Sequence, residues 1–162
     1  MKKNTYEIFE KQLTSLIEDD QYLISILANM AALLNETLDH INWVGFYLYN
    51  SKNNHLYLGP FQGKPACQII QMDRGVCGAA ATKRKSILVE DVHYFPGHIA
   101  CDSASNSEIV IPILVGGELL GVLDIDSPRL SRFDKEDQRH LEKAVEILEN
   151  HLEKKEGVIY GI

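Results

Sequence analysis

Three thiols, Cys67, Cys77 and Cys101, lie in the middle third of a 162-residue chain, each at the edge of an apolar run rather than inside one. A lone cysteine is ordinarily a small buried hydrophobe, but the surroundings of Cys101 do not suit a core. Gly97-His-Ile-Ala-Cys-Asp-Ser-Ala-Ser-Asn-Ser-Glu108 repeats apolar residues at neither the helical nor the strand period, and it leads directly into the apolar strand Ile109 to Val115. His93 and His98 are close enough in sequence to influence the ionisation of Cys101, and the thiolate is the reactive form. A thiol oxidised to sulfenic acid needs a second thiol to resolve it, and Cys67 and Cys77 both offer one. This pattern predicts redox chemistry. A structural zinc site is the competing explanation, and it would show paired ligands such as Cys-x2-Cys. The separations here, 10 and 24 residues, contain no such pair, although distant ligands can still converge in space.

Acids form the second constellation. Asp124 and Asp126 are two apart in the apolar run that ends the next strand, so both side chains project from one face. Such a pair suits an ammonium or cation, or shares a proton at raised pKa. Glu108, at the mouth of the preceding strand, is the third candidate. With a two-residue turn at Gly116-Gly117, Glu108 falls opposite Ile125 and faces away from both aspartates; a glycine bulge, or Glu108 lying just before regular pairing begins, restores convergence. Trp43 and Tyr47 are four apart on the first strand and share a face. They either pack in the core or form apolar walls that grip a methyl or thioether group or a cation.

The elements that must position these residues can be read from periodicity. Tyr6, Phe9, Leu13, Leu16 and Ile17 recur at helical spacing, as do Leu23, Ile26, Leu27, Met30, Leu33 and Leu34, with Asp19-Asp20 between the two helices and placed to cap the second. Trp43 to Tyr49 and His55 to Leu58 read as strands joined by the turn Ser51 to Asn54. Gly59 to Pro65 reads as a loop, Cys67 to Met72 as a third strand, and Ala79 to Arg84 as a short helix preceded by Gly75-Val-Cys-Gly78. Ser86 to Val89 is a fourth strand and Glu90 to Ser107 a long irregular segment of the kind that is usually functional. Ile109 to Val115 and Glu118 to Asp126 form a hairpin, and Asp134 caps a last helix carrying Leu141, Ala144, Val145, Leu148 and Leu152. No repeat, low-complexity tract or linker interrupts residues 1–162. The expectation is a single α/β (α+β) domain, an antiparallel sheet of about six strands flanked by helices from both termini.

Composition removes several function classes. Hydrophobic residues make up 45% and charged residues 24%, and the formal charge is −7, which disfavours nucleic acid and anionic membranes as partners. Its one basic cluster, Lys83-Arg84-Lys85, sits where a helix C-terminus favours cations. No apolar run approaches the ~18 residues of a membrane span. Met1-Lys-Lys leads into an amphipathic stretch, and an odd cysteine count fits a reducing compartment, so the expected location is cytoplasmic.

Taken together, Asn42-Trp-Val-Gly-Phe-Tyr47, Leu58-Gly-Pro-Phe-Gln-Gly63, Arg74-Gly-Val-Cys-Gly78, Gly97-His-Ile-Ala-Cys-Asp102, Ser105-Asn-Ser-Glu-Ile109 and Gly121-Val-Leu-Asp-Ile-Asp126 resemble the free methionine-(R)-sulfoxide reductases, which are built on the GAF fold. The fold alone is a weak guide, since many such domains bind ligands or signal, and a stand-alone GAF sensor is the competing reading. What the resemblance implies is specific. Cys101 corresponds to the catalytic thiol that attacks the sulfoxide sulfur of free methionine-(R)-sulfoxide. Cys67 corresponds to the thiol that resolves the sulfenic acid, with Cys77 at the family's third position as an alternative. Glu108 and Asp126 lie near the sulfoxide oxygen, Asp124 helps to hold the substrate ammonium, and Trp43 and Tyr47 wall the substrate methyl. The resemblance also implies an intramolecular disulfide reduced by thioredoxin, no cofactor and no metal; with the amphipathic terminal helices it suggests a homodimer. For the substrate carboxylate, no arginine near the motif is an obvious clamp, so the backbone N–H groups around Ile99, Ala100 and Cys101 are the expected partners.

Overall fold

The computed structural model describes residues 2–98, 101–155 and 157–160. Helices α1 (Lys2–Ile17) and α2 (Leu23–Thr37) precede strands β1 (Trp43–Asn50), β2 (His55–Gly63) and β3 (Ile69–Gln71). Helix α3 (Gly75–Lys83), strand β4 (Ile87–Val89) and a 3₁₀ turn over Val92–Tyr94 follow, then β5 (Ser107–Val115), β6 (Glu118–Ser127) and α4 (Lys135–Lys154). The strands form one antiparallel sheet in the order β3-β2-β1-β6-β5-β4.

Strand alternation divides this sheet into two chemically different faces. Val44, Phe46, Ile109, Ile111, Ile113, Leu123 and Ile125 point to one side, where the apolar stripes of α1, α2 and α4 cover them in the main core. That helical layer is anchored by Asp137 in the first turn of α4, which is fully buried and bonded to the Tyr6 hydroxyl (2.7 Å) and Lys2 Nζ (2.6 Å). Asp137 also completes a capping box with Asp134, so the predicted cap is found with its reciprocal partner. Trp43, Tyr47, Val110 and Val122 point to the other side, under α3. On that face the row of apolar residues is interrupted by three carboxyl groups.

Several boundaries differ from the sequence expectation. Gly59 to Gly63 belongs to β2 rather than to a loop, because Gly59 and Pro60 fall where the β1–β2 register shifts between Gly45 and Tyr47. A proline is tolerated at such a bulge because no ladder hydrogen bond is asked of it. Strand β3 begins at Ile69, leaving Cys67 in the connection before it, and α3 begins at Gly75, which places Cys77 in its first turn. Asp20 does not occupy the N-cap of α2; that position is Tyr22, whose N–H donates to Asp20 Oδ1 (2.9 Å).

The hairpin register shows how the acids converge. Val115 pairs with Glu118 as a two-residue turn requires, but the ladder slips between Ile113, opposite Gly121, and Leu114, opposite Leu119. The extra residue in β6 moves Glu108 from Ile125 to Asp126, and all three acids then share the face away from the main core. Gly121 sits at this slip with its Cα tight against β1; a side chain there would run into the carbonyl oxygen of Tyr47.

Candidate functional site

Two cross-strand rows build the floor of the site. In one, Trp43 of β1 lies opposite Asp126 of β6, which lies opposite Glu108 of β5. In the next, Gly45 lies opposite Asp124, which lies opposite Val110. Gly45 has no side chain because Trp43 and Phe61 occupy that space; a Cβ would meet both. Their rings stack at 5.3 Å, and the Tyr47 ring follows at 5.9 Å from Trp43, so one aromatic wall stands beside the acids.

The polar ends of the same aromatics hold the segment that carries Cys67. Trp43 Nε1 donates to the Lys64 carbonyl (3.1 Å) and the Tyr47 hydroxyl donates to the Cys67 carbonyl (2.9 Å). Cys67 and Cys101 are joined in a disulfide with their Cα atoms 5.6 Å apart, within the span a disulfide requires. The Cys101 loop is tied to the start of β1 by Asn42, whose Nδ2 donates to Asp102 Oδ2 (3.1 Å) and Ser105 Oγ (3.0 Å). Asp102 further accepts the Ala104 N–H, and that bond with the Asn42 contact holds its carboxyl below the usual carboxylate range.

These parts surround a small, partly open cavity with about 50 Å³ of room for the centre of a water-sized molecule. Trp43, Tyr47, Cys77, Cys101, Glu108, Asp124 and Asp126 all line it. Glu108 and Asp124 are each only 6% exposed. Burial, reinforced by the neighbouring aspartates, pushes Glu108 well above its ordinary pKa; burial with Asp124 and Asp102 does the same for Asp126. Asp124 is pushed up to about 6 by burial, against hydrogen bonds from Glu108 and Cys77 that favour its charged form. Such a cluster holds protons near neutrality. Cys77, in the first turn of α3, lies with its Sγ 4.0 Å from Glu108 Oε1. Burial and then the acid charges raise its pKa well above the ordinary thiol value, so Cys77 rests as a neutral thiol. Among the described residues, two buried side-chain oxygens have no hydrogen-bond partner, Asn42 Oδ1 and Asp124 Oδ1.

The fold thus brings together the candidate residues that lie far apart in sequence. Ile99 and Ala100 lie outside the described residues. One group at the cavity, Arg74, was not singled out from sequence, and of the two histidines that were, only His98 reaches it. Arg74, at the N-cap of α3, lines the cavity although it is remote in sequence from the Cys101 motif, near which no arginine was an obvious carboxylate clamp. Its one sequence signal was its place at the head of Arg74-Gly-Val-Cys-Gly78. His98 lines the cavity beside Cys101, its pKa lowered by burial and then by His93, whereas His93 is exposed and bonded to Asp91 (2.7 Å).

The GAF domain family model matches residues 18–153. The chain is 47% identical over 151 residues to the free methionine-R-sulfoxide reductase of Escherichia coli (strain K12), covering 93% of this chain and 90% of that protein. The structure of Staphylococcus aureus fRMsr in complex with substrate superposes with a TM-score of 0.86 at 54% identity, covering 91% of this chain and 95% of that one. Free methionine-R-sulfoxide reductase from Neisseria meningitidis, also in complex with its substrate, superposes at 0.88 with 43% identity over 91% and 88% of the two chains. The chain therefore belongs to the GAF-domain family of free methionine-R-sulfoxide reductases.

Proposed function

We propose that this protein reduces free L-methionine-(R)-sulfoxide to L-methionine, with Cys101 as the attacking thiol. The observation that carries the proposal is the placement of Cys101 on a cavity floored by three protonatable carboxyl groups and already bonded to Cys67. The Cys101 sulfur attacks the sulfoxide sulfur while a protonated carboxyl, Glu108 or Asp126, delivers a proton to the departing oxygen. The protonated oxygen passes to the Cys101 sulfur as the sulfur–sulfur bond formed in the attack breaks, so methionine leaves as the thioether and Cys101 becomes a sulfenic acid. Cys67 then displaces that oxygen as water, forming the Cys67–Cys101 disulfide, and a dithiol of the thioredoxin class takes up the oxidising equivalents. Cys77 is less suited to resolve Cys101, because it is held neutral on the cavity floor.

Free rather than peptide-bound substrate follows from charge. Asp124 Oδ1 is a buried acceptor with no partner, and an α-ammonium group supplies one. Arg74 and the unpaired N–H groups of the first turn of α3 suit the carboxylate. A peptide-bound residue has neither charge and leaves the buried acceptor unsatisfied, which is costly. The test is consumption of free methionine-(R)-sulfoxide with dithiothreitol as reductant, beside the S epimer and the N-acetylated R form. Turnover confined to the free R substrate is expected. Equal turnover of the N-acetylated form overturns the ammonium assignment, and no turnover of any form by fully reduced protein favours a ligand-binding sensor.

Asn42 is a positioning residue in this scheme, since it fixes the Cys101 loop without facing the substrate sulfur. Asn42→Ala is expected to lower kcat roughly tenfold, because a reacting atom displaced by a fraction of an ångström loses alignment. The same variant should keep its melting temperature and leave KM nearly unchanged. A loss confined to KM would place Asn42 on the substrate instead.

A further inference from the structure

Cys77 has no part in the chemistry proposed above, yet its sulfur shares the cavity floor with two acids. One ligand atom each from Cys77, Glu108 and Asp124 lie within 4.8 Å of one another, all three residues are buried, and they come from three different elements, α3, β5 and β6. Asp124 Oδ1 adds an independent observation: it is buried, lines the cavity and has no hydrogen-bond partner. We propose that these three residues form a binding site for a thiophilic divalent cation of the Zn²⁺ class. One sulfur and two oxygens around an open fourth position is a donor set zinc accepts, and a tetrahedral ion needs sulfur–oxygen separations of roughly 3.5 Å. The Cys77 Sγ to Glu108 Oε1 separation of 4.0 Å requires only a small contraction.

The cavity supplies the entry path and room for a water as fourth ligand. Binding releases the Cys77 proton to solvent and sets a dication among carboxylates that otherwise repel each other. No paired-ligand spacing marks this site in the sequence, because its ligands are spread from Cys77 to Asp124, and Glu108 joins the Asp124 face only through the β6 register slip. It differs from a closed structural zinc site in having three protein ligands, so the fold does not depend on it. On the substrate reading proposed above, the ion occupies the place of the substrate ammonium and acts as a reversible competitive inhibitor.

The decisive experiment uses the oxidised protein, in which Cys67 and Cys101 are bonded and Cys77 is the remaining thiol. Titration with Co²⁺ as a spectroscopic substitute should give a thiolate-to-cobalt charge-transfer band saturating at one ion per chain and displaced by Zn²⁺. The band should be absent in Cys77→Ser, and Asp124→Asn should weaken binding at least roughly tenfold. No thiolate band in the wild-type protein, or a band that survives in Cys77→Ser, overturns the site. The inhibition clause is separate: with Co²⁺ binding established, Zn²⁺ that fails to raise the KM for free methionine-(R)-sulfoxide overturns the overlap alone. Absence of all turnover overturns the substrate reading and leaves the metal site standing on its spectrum.

Discussion

Cys101→Ser is expected to lower the turnover of free methionine-(R)-sulfoxide by at least ~10³-fold while the fold persists. A serine hydroxyl is far from ionised at neutral pH and a much weaker nucleophile toward sulfur than a thiolate, so the attack loses its nucleophile rather than slowing by degrees. A thousandfold loss corresponds to about 4 kcal/mol of barrier, the scale on which removing a covalent nucleophile is felt. Stability should change little under assay conditions. Cys101 is half-buried in a polar loop and packs in neither apolar cluster, and dithiothreitol reduces its bond to Cys67 in both proteins. The check is an initial rate beside a thermal unfolding curve of the reduced proteins. Activity above a tenth of wild type, in a variant that melts normally, removes Cys101 from the mechanism.

How much of this was legible before the structure depends on whether a feature is local. The polar segment around Cys101, the hairpin from β5 to β6 and the shared face of Asp124 and Asp126 follow from composition and a period of two, and they are found as expected. Trp43 and Tyr47 share a face for the same reason, but their hydrogen bonds to Lys64 and Cys67 depend on where the next loop returns. The facing of Glu108 turned on a single slipped residue near Leu120, and a slip of one residue reverses a strand's faces. Nothing in the turn glycines marks its position. Arg74 reached the cavity because α3 packs across β5 and β6, a tertiary fact that its place at the head of Arg74-Gly-Val-Cys-Gly78 does not reveal. Pro60 was misleading for a related reason: proline ordinarily argues against a strand, unless a bulge removes the need for its missing N–H.

The second large effect comes from a buried acid in the cavity floor with one unsatisfied oxygen, Asp124 Oδ1. Asp124→Asn is expected to lower kcat/KM about 10²-fold, because the substrate ammonium loses a charged, buried partner and such bonds contribute about 2–3 kcal/mol. The same change should stabilise the substrate-free enzyme at neutral pH. Asp124 titrates near 6 in the folded protein against 3.8 ordinarily, so between these values the folded state holds a proton that the unfolded state has released. Stability therefore falls as pH rises through this window and is fully present only below it. Asparagine does not titrate, so the variant escapes that fall. Its melting temperature should match wild type or lie slightly below it at about pH 4, and exceed it by several degrees at about pH 7.5, since a gain of about 1–3 kcal/mol moves a domain of this size by that much. A difference in melting temperature that is the same at both pH values would mean that Asp124 enters the folded state with an ordinary pKa. The proposed preference for a charged substrate would then need another source than the unsatisfied oxygen at Asp124. If the gain does appear and activity falls with it, the instability of the empty site and the affinity for free methionine-(R)-sulfoxide have one origin: a carboxylate buried in advance of the cation that satisfies it.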